Sequence, residues 1–393
     1  MDLDDDLWLQ ILQAGLESNN YPIVKEVYTR HIMAGFSNAK ITLEEAVLSL
    51  ISQSNKIFES MTSSLLMRVL HVLAMHGDTS LTMDLIESHF FHKVVAGGSA
   101  LNKELCVRII ESHCYSTANG GTSFEEILDL IDVFAMKEVE GGIVSTDLFQ
   151  AMNHKFANYK LSAGEAESLD SKVVKPKDRG GVLSLAKAAT LYDFAVHSME
   201  YAQRLHPRTQ AIFIDCLLNY VATYLNHTGV VQTLSALHYA NTSVVKELGT
   251  SSFNSILYSL SKSSSKRCAL HYLKYMKSVG IKPSSQMYSW MIKCAMREHY
   301  EQPVLFFLWH YFQDHATLQG TMKQTVQDLP NRGLVGNFKT QLGNNNDALF
   351  DSLGIELNEN CITAKSGPLT HSKYYETYDL HDLAKLETIF PVT

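Results

Sequence analysis

Apolar residues return every three or four positions along most of this chain, the spacing that lines one face of an α-helix. Leu7, Leu9, Ile11, Leu12 and Leu16 make a first stripe, and Ile23, Val27, Tyr28, Ile32 and Met33 make a second. The same period predicts helices over 42–54, 62–76, 79–94, 101–114, 123–137, 145–159, 185–206, 210–226, 230–246, 252–263, 266–279, 286–298 and 302–315. Two of these carry start signals. Thr42 with Glu45, and Ser123 with Glu126, each pair a hydroxyl with a carboxylate three residues on, and so satisfy the free N–H groups of a first helical turn. No run alternates apolar and polar residues as a strand would. The chain reads as all-α.

The predicted helices are short and paired, and the pairs recur. Phe253 set against Tyr288 gives a period of 35 residues: in both copies an aromatic opens a helix and a second helix begins about 16 residues later. Weaker echoes lie at 65–92 and 8–36. One helix pair cannot bury its apolar face alone, so the expected architecture is a solenoid of stacked antiparallel pairs, a superhelix with a groove lined by first helices. Divergent N-terminal repeats are expected over 1–161, and a linker rich in Gly, Ser and charge over 162–184. Further repeats follow over 185–318, the clearest at 250–284 and 285–318. After about 319 the helical period fades, and LPNRG, LGNNND and SGPLTHS suggest a C-terminal tail (319–393) that is irregular or wrapped against the body.

Composition narrows the class. Of 393 residues 46% are hydrophobic and 19% charged, enough to build a sizeable core and unlike a disordered chain. No run of 18 apolar residues occurs, so no membrane span is expected. The opening MDLDDDLWLQ resembles neither a secretory signal nor an Arg-rich transit peptide. Six scattered cysteines without a C-x-x-C pair argue against a zinc knuckle or a disulfide framework. Among the histidines, His71 with His76 and His89 with His92 are close in sequence but lack the H-E-x-x-H pattern, so no metal and no cofactor are expected.

Charge changes the picture more. The chain carries a net −8, yet Thr250 to Arg297 holds eight Lys or Arg and no Asp or Glu, which leaves about −16 for the rest. Charge segregated in this way is a footprint for a polyanion. A second basic cluster, KVVKPKDRGG at 172–181, is either a phosphate-gripping arm or a solvated linker.

Within that basic stretch, Phe253-Asn254, Ile256-Leu257, Leu260, Lys262, Ala269-Leu270, Met276 and Gly280-Ile281-Lys282-Pro283-Ser284 follow one another over 35 residues without a gap. The pattern resembles the pentatricopeptide repeat, a helix–turn–helix unit related in form to the tetratricopeptide repeat. The following unit fits more loosely, through Tyr288, Ile292, Arg297, Phe307 and Tyr311. The resemblance implies a protein that binds single-stranded RNA in mitochondria or plastids, with the mitochondrial matrix the expected place here, and acts in RNA stability, processing or translation. Asn254, Ser284 and Ser289 would then read bases, and Lys262 and Arg297, with Lys266 and Arg267, would meet phosphates. Ser251 and Gln286 stand where the family usually places an aliphatic residue against the base. Low Pro and Ala with many Asn and Ser lean towards a fungal mitochondrial member.

No nucleophile elbow, phosphate loop or deaminase signature is present in the sequence, so the expectation is a non-enzyme. The competing reading is a protein-binding scaffold of the same fold, docked on the mitochondrial ribosome or on RNA-processing proteins. A third is an enzyme whose catalytic part lies outside this chain or in its tail.

Overall fold

The computed structural model describes residues 5–33, 63–87, 103–117, 121–136, 143–157, 199–240, 245–246, 248–263, 265–297, 301–315, 317–329, 362 and 372–392. The Thr42/Glu45 start, His89 and His92, the 162–184 linker and the basic cluster at 172–181 lie outside them. The chain divides into two compact units, Met1–Tyr159 and Lys160–Thr393. Every regular element among the described residues is helical, as the 3.6-residue period predicts.

The first unit contains α1 (Asp5–Glu17), α2 (Tyr21–Val27, continued by a π-helical segment, Tyr28–Met33), α3 (Ser63–Met75), α4 (Thr79–Leu85), α5 (Lys103–Tyr115), α6 (Phe124–Met136) and α7 (Thr146–Ala157). Its helices start where short polar side chains satisfy the first turn. Leu81 N–H donates to Asp78 Oδ1 at 3.3 Å, and Leu148 N–H to Ser145 Oγ at 3.2 Å. At α6 the expected capping box is formed, with Ser123 N–H donating to Glu126 Oε2 (2.7 Å) and Glu126 N–H to Ser123 Oγ (3.1 Å). Gly77 ends α3 with a φ of +68°, and a Cβ there would lie 2.4 Å from the Tyr115 carbonyl oxygen. Only glycine fits that turn. α3, α5 and α7 pack in succession, with α4 and α6 against α5.

The second unit holds α8 (Pro207–Tyr224), α9 (His227–Ala240), α10 (Thr250–Ser261), α11 (Lys266–Ser278), α12 (Ser285–Met296), α13 (Glu301–Asp314), α14 (Gly320–Gln327) and α15 (Ser372–Ile389). Alternate helices stack: α8 on α10, α10 on α12, α12 on α14. First helices therefore form one row, as a repeat of helix pairs requires. The repeat at 250–284 is the expected pair, broken between Ser261 and Lys266. Gly280, at φ +77°, closes α11: its N–H bonds Lys277 O and the Ile281 N–H bonds Met276 O at 2.7 Å, a left-handed C-terminal cap. Ala269 is fully buried, and the two helices meet through Phe253 with Tyr272 and Tyr275.

Where it is described, the C-terminal region is helical, not irregular, and its end is wrapped against the body, the second of the two expectations. Gly320–Gln327 extends the row of first helices, and α15 packs against both α9 and α11. Phe390, fully buried, sits 4.7 Å from the Tyr275 ring centroid and 5.7 Å from that of Phe253. Thr228 Oγ1 donates to Asp382 at 2.9 Å, and His271 Nε2 donates to Leu386 O at 3.2 Å. The chain's end is thus wrapped onto the second helices, α9 and α11.

Candidate nucleic-acid interface

Three helices, α8, α10 and α12, bring the basic segment's side chains into rows. Residues four apart share a helix face, so Asn254, Tyr258 and Lys262 line up on α10, and Ser289, Lys293 and Arg297 line up on α12. One period of 35 relates each residue of the first set to one of the second. The expectation that Lys262 and Arg297 occupy equivalent places is met in a particular way. Lys262 Nζ donates to the carbonyls of Ala222 (2.9 Å) and Thr223 (3.0 Å), near the C-terminus of α8. Arg297 Nε donates to Ser261 O at 2.7 Å, the last residue of α10. Each cation follows its own helix and caps the carbonyl end of the helix before it, where the helix dipole favours positive charge. Both remain exposed, and no carboxylate is bonded to either among the described residues. The recurrence of a cation at this register is therefore structural before it is anything else, and it leaves the charge unneutralised.

The other expected contacts divide. Asn254 is half-buried, and its Oδ1 has no hydrogen-bond partner among the described residues. A buried acceptor without a partner is costly, but this oxygen is shielded from solvent and meets a ligand only if the Asn254 amide turns outward. Ser284 caps α12, accepting the Met287 N–H at 3.3 Å, and its own hydroxyl hydrogen stays available. Ser289 is corrected: it is fully buried, and its hydroxyl is 2.6 Å from Thr325 Oγ1 on α14, so it joins two first helices and is not presented to a base. Lys266 is corrected as well, being only 5% exposed at the start of α11. Arg267 beside it is half-buried.

What sequence reasoning missed are the aromatics between the cations. Tyr258 and Trp290, on neighbouring first helices, meet edge to face at 5.1 Å. Lys262 Nζ lies 4.1 Å from the Tyr258 ring centroid, and Lys293 Nζ lies 4.7 Å from that of Trp290. On α8, Tyr220 and Tyr224 are 4.9 Å apart, and Tyr224 is half exposed. Trp290 Nε1, like Asn254 Oδ1, has no partner among the described residues. The signal was present in the sequence as aromatics interleaved with lysines, the composition of single-strand-binding surfaces. It was hidden because a half-buried aromatic in a helix normally reads as core.

The three helices carry one acid, Asp215. It faces Ser252 and Ser251, and burial raises its pKa against their hydrogen bonds. Elsewhere the surface differs. In the first unit an open concavity is lined by Thr79, His113, Thr122, Glu126 and Asp129, where His113 Nδ1 is 3.0 Å from Thr122 Oγ1. Its acidic lining does not suit a phosphate backbone. No group of three or more His, Cys, Asp or Glu that could hold a metal occurs among the described residues, and no described helix is long and apolar enough to cross a membrane.

Comparison with known proteins points to the same part of the chain. Residues 177–314 match the family model of MNE1, described as a mitochondrial splicing apparatus component. The match covers about a third of the chain and ends at Asp314, the last residue of α13, so the whole α8–α10–α12 row lies within it. No curated protein matches the chain. By these residues the chain is similar to a mitochondrial RNA-processing family.

Proposed function

We propose that this protein binds single-stranded RNA along the first-helix row of its second unit and serves mitochondrial RNA processing, in the matrix, as a non-catalytic component. One observation carries the reading: exposed cations alternate with half-exposed aromatics across adjacent first helices. Backbone tracking needs the cations, and unpaired bases need the rings. The resemblance of 250–284 to a pentatricopeptide repeat supports it, as does the likeness of 177–314 to the splicing-component family. Base choice under this reading is local, resting on Asn254 and the remaining hydroxyl hydrogen of Ser284.

The scaffold reading has one observation in its favour. Lys262 and Arg297 already have structural employment at helix C-termini, so their recurrence does not require a phosphate. Competition binding separates the two. At fixed physiological salt the full chain should prefer single-stranded over duplex RNA of the same sequence, with an affinity that falls as salt rises. Equal binding of both, or of neither, favours the scaffold. Crosslinking in mitochondria followed by sequencing of the bound RNA then identifies the transcript.

A further inference from the structure

We propose that Trp290, Lys293 and Tyr258 form a single-nucleotide subsite in which Lys293 is a movable cover: it leaves the Trp290 ring for a phosphate, and the nucleobase takes its place. The inference rests on the RNA-binding reading above and specifies where and how one nucleotide is held. Three features of the seam between α10 and α12 lead to it.

The first is the difference between the two lysines. Lys262 is anchored by two carbonyls as well as lying over Tyr258. Lys293 lies over Trp290 and makes no hydrogen bond or ion pair among the described residues. Of the two lysines it is the less anchored.

The second is the energy balance of the exchange. A base stacked on an aromatic side chain is held more strongly than a cation over the same ring at an accessible site. A nucleotide brings both replacements at once, a phosphate for the ammonium and a base for the ring. A free anion or a free base brings only one.

The third is the pair of unpartnered polar atoms. Trp290 Nε1–H is a donor, and Asn254 Oδ1, one turn before Tyr258 on α10, is an acceptor. Both side chains are half-buried, but the two polar atoms themselves are shielded from solvent, so they meet a base edge only once Lys293 has moved aside and the Asn254 amide has turned. The edge of an unpaired base offers acceptors and donors side by side, which a duplex keeps for itself. Tyr258, edge-on to Trp290, would form the wall of the slot.

The experiment compares two probes of equal charge, a mixed-sequence single-stranded RNA and an abasic ribose-phosphate strand of the same length. The full chain is used at fixed salt. Trp290→Leu should lower affinity for the base-bearing strand roughly tenfold and leave the abasic strand unchanged. Lys293→Met should weaken both strands and reduce the salt slope by a little under one unit. It keeps the test open should Trp290→Leu fail to fold. In the wild type, the base-bearing strand should also quench tryptophan fluorescence and the abasic strand should not. Binding of both strands with no preference between them, or an equal effect of folded Trp290→Leu on both, overturns the subsite and leaves RNA binding by charge standing. Binding of neither strand overturns the RNA reading itself, and the subsite with it.

Discussion

Arg108 in the first unit and Arg297 in the second are both arginines on helices of the repeat layers, and they are used in opposite ways. Arg108 is buried. It donates to Glu111 at 2.5 Å and to Asp147 at 2.6 Å, while Glu111 itself is 3.5 Å from His71. Burial disfavours the charged guanidinium, but Glu111 and Asp147 outweigh it and hold the pKa above its usual value. Arg297 is exposed and bonded to a carbonyl. A cation paired with two carboxylates has no net positive charge to offer at a distance. A cation resting on a helix C-terminus is positioned without being neutralised. The first arrangement ties α5 to α7 and orders a core; the second makes a stack of helices that is also a positive surface.

The contrast is broken most severely by truncating the buried member. Arg108→Ala would leave Glu111 as a buried carboxylate without its main partner, which costs about 3–5 kcal/mol. Chemical denaturation of the variant should show the loss in the first unit's transition. A change below about 1 kcal/mol would mean that water or movement of α5 relieves Glu111, and that the network is not structural.

A second prediction uses a cation that the second unit refuses to form. His227 lies fully buried at the start of α9, its Nδ1 3.3 Å from Ser259 Oγ, and burial lowers its pKa to about 3. An unfolded histidine titrates near 6.5. Below that pH the unfolded chain takes up a proton that the native state excludes. The stability associated with neutral His227 is therefore complete above about pH 6.5. It falls by about 1.4 kcal/mol per pH unit as pH drops towards 3. Urea unfolding at pH 7.5 and 5.5 should register the fall, and His227→Gln should remove that part of the slope. An unchanged slope would place the acid sensitivity elsewhere.

A third turns to the exposed members. Lys262→Glu with Arg297→Glu should weaken all single-stranded RNA ligands alike, because phosphate contacts carry no sequence preference. The log–log salt slope should fall by roughly 1.4, two contacts at about 0.7 each. A slope equal to wild type would show that a strand does not run along these helix ends.

The two arginines also show how far a sequence can be read. The helices follow from the 3.6-residue period, and the Ser123–Glu126 box and the Gly280 stop were visible as residue types at fixed spacings. The 35-residue recurrence of Lys262 and Arg297 was equally visible. Its physical cause was not, because a register says which residues recur and not which atoms face them. The carbonyls of Ala222, Thr223 and Ser261 become partners only when first helices stack. Ser289 failed as a reader for the same reason, since its partner Thr325 lies in a region whose helix was not expected. Near the chain's end Leu383, Leu386, Ile389 and Phe390 do keep helical spacing, but they are interleaved with Asp382, Lys385, Glu387 and Thr388. The fold of α15 depends on the apolar faces of α9 and α11, which it covers. Tyr258 and Trp290 lie 32 residues apart, off the 35-residue register, so their contact was legible only in three dimensions.

The smallest effect sharpens the comparison most. Arg297→Met keeps the side chain's apolar stem and removes the charge, and nothing buried is left unpaired except Ser261 O near a solvent-facing helix end. The interaction of an exposed cation with a helix C-terminus is worth about 0.3–1 kcal/mol, so thermal stability should change little. If Arg297 acts only as a cap, that small loss is the whole phenotype, and RNA affinity stays as it was. If it also meets a phosphate, affinity falls severalfold and the salt slope drops by about 0.7 while the melt barely moves. Measuring both on one variant separates the structural role from the functional one at a single residue. A loss of stability as large as that of Arg108→Ala would instead make the two arginines alike, and the proposed division between neutralised and available cations would fail.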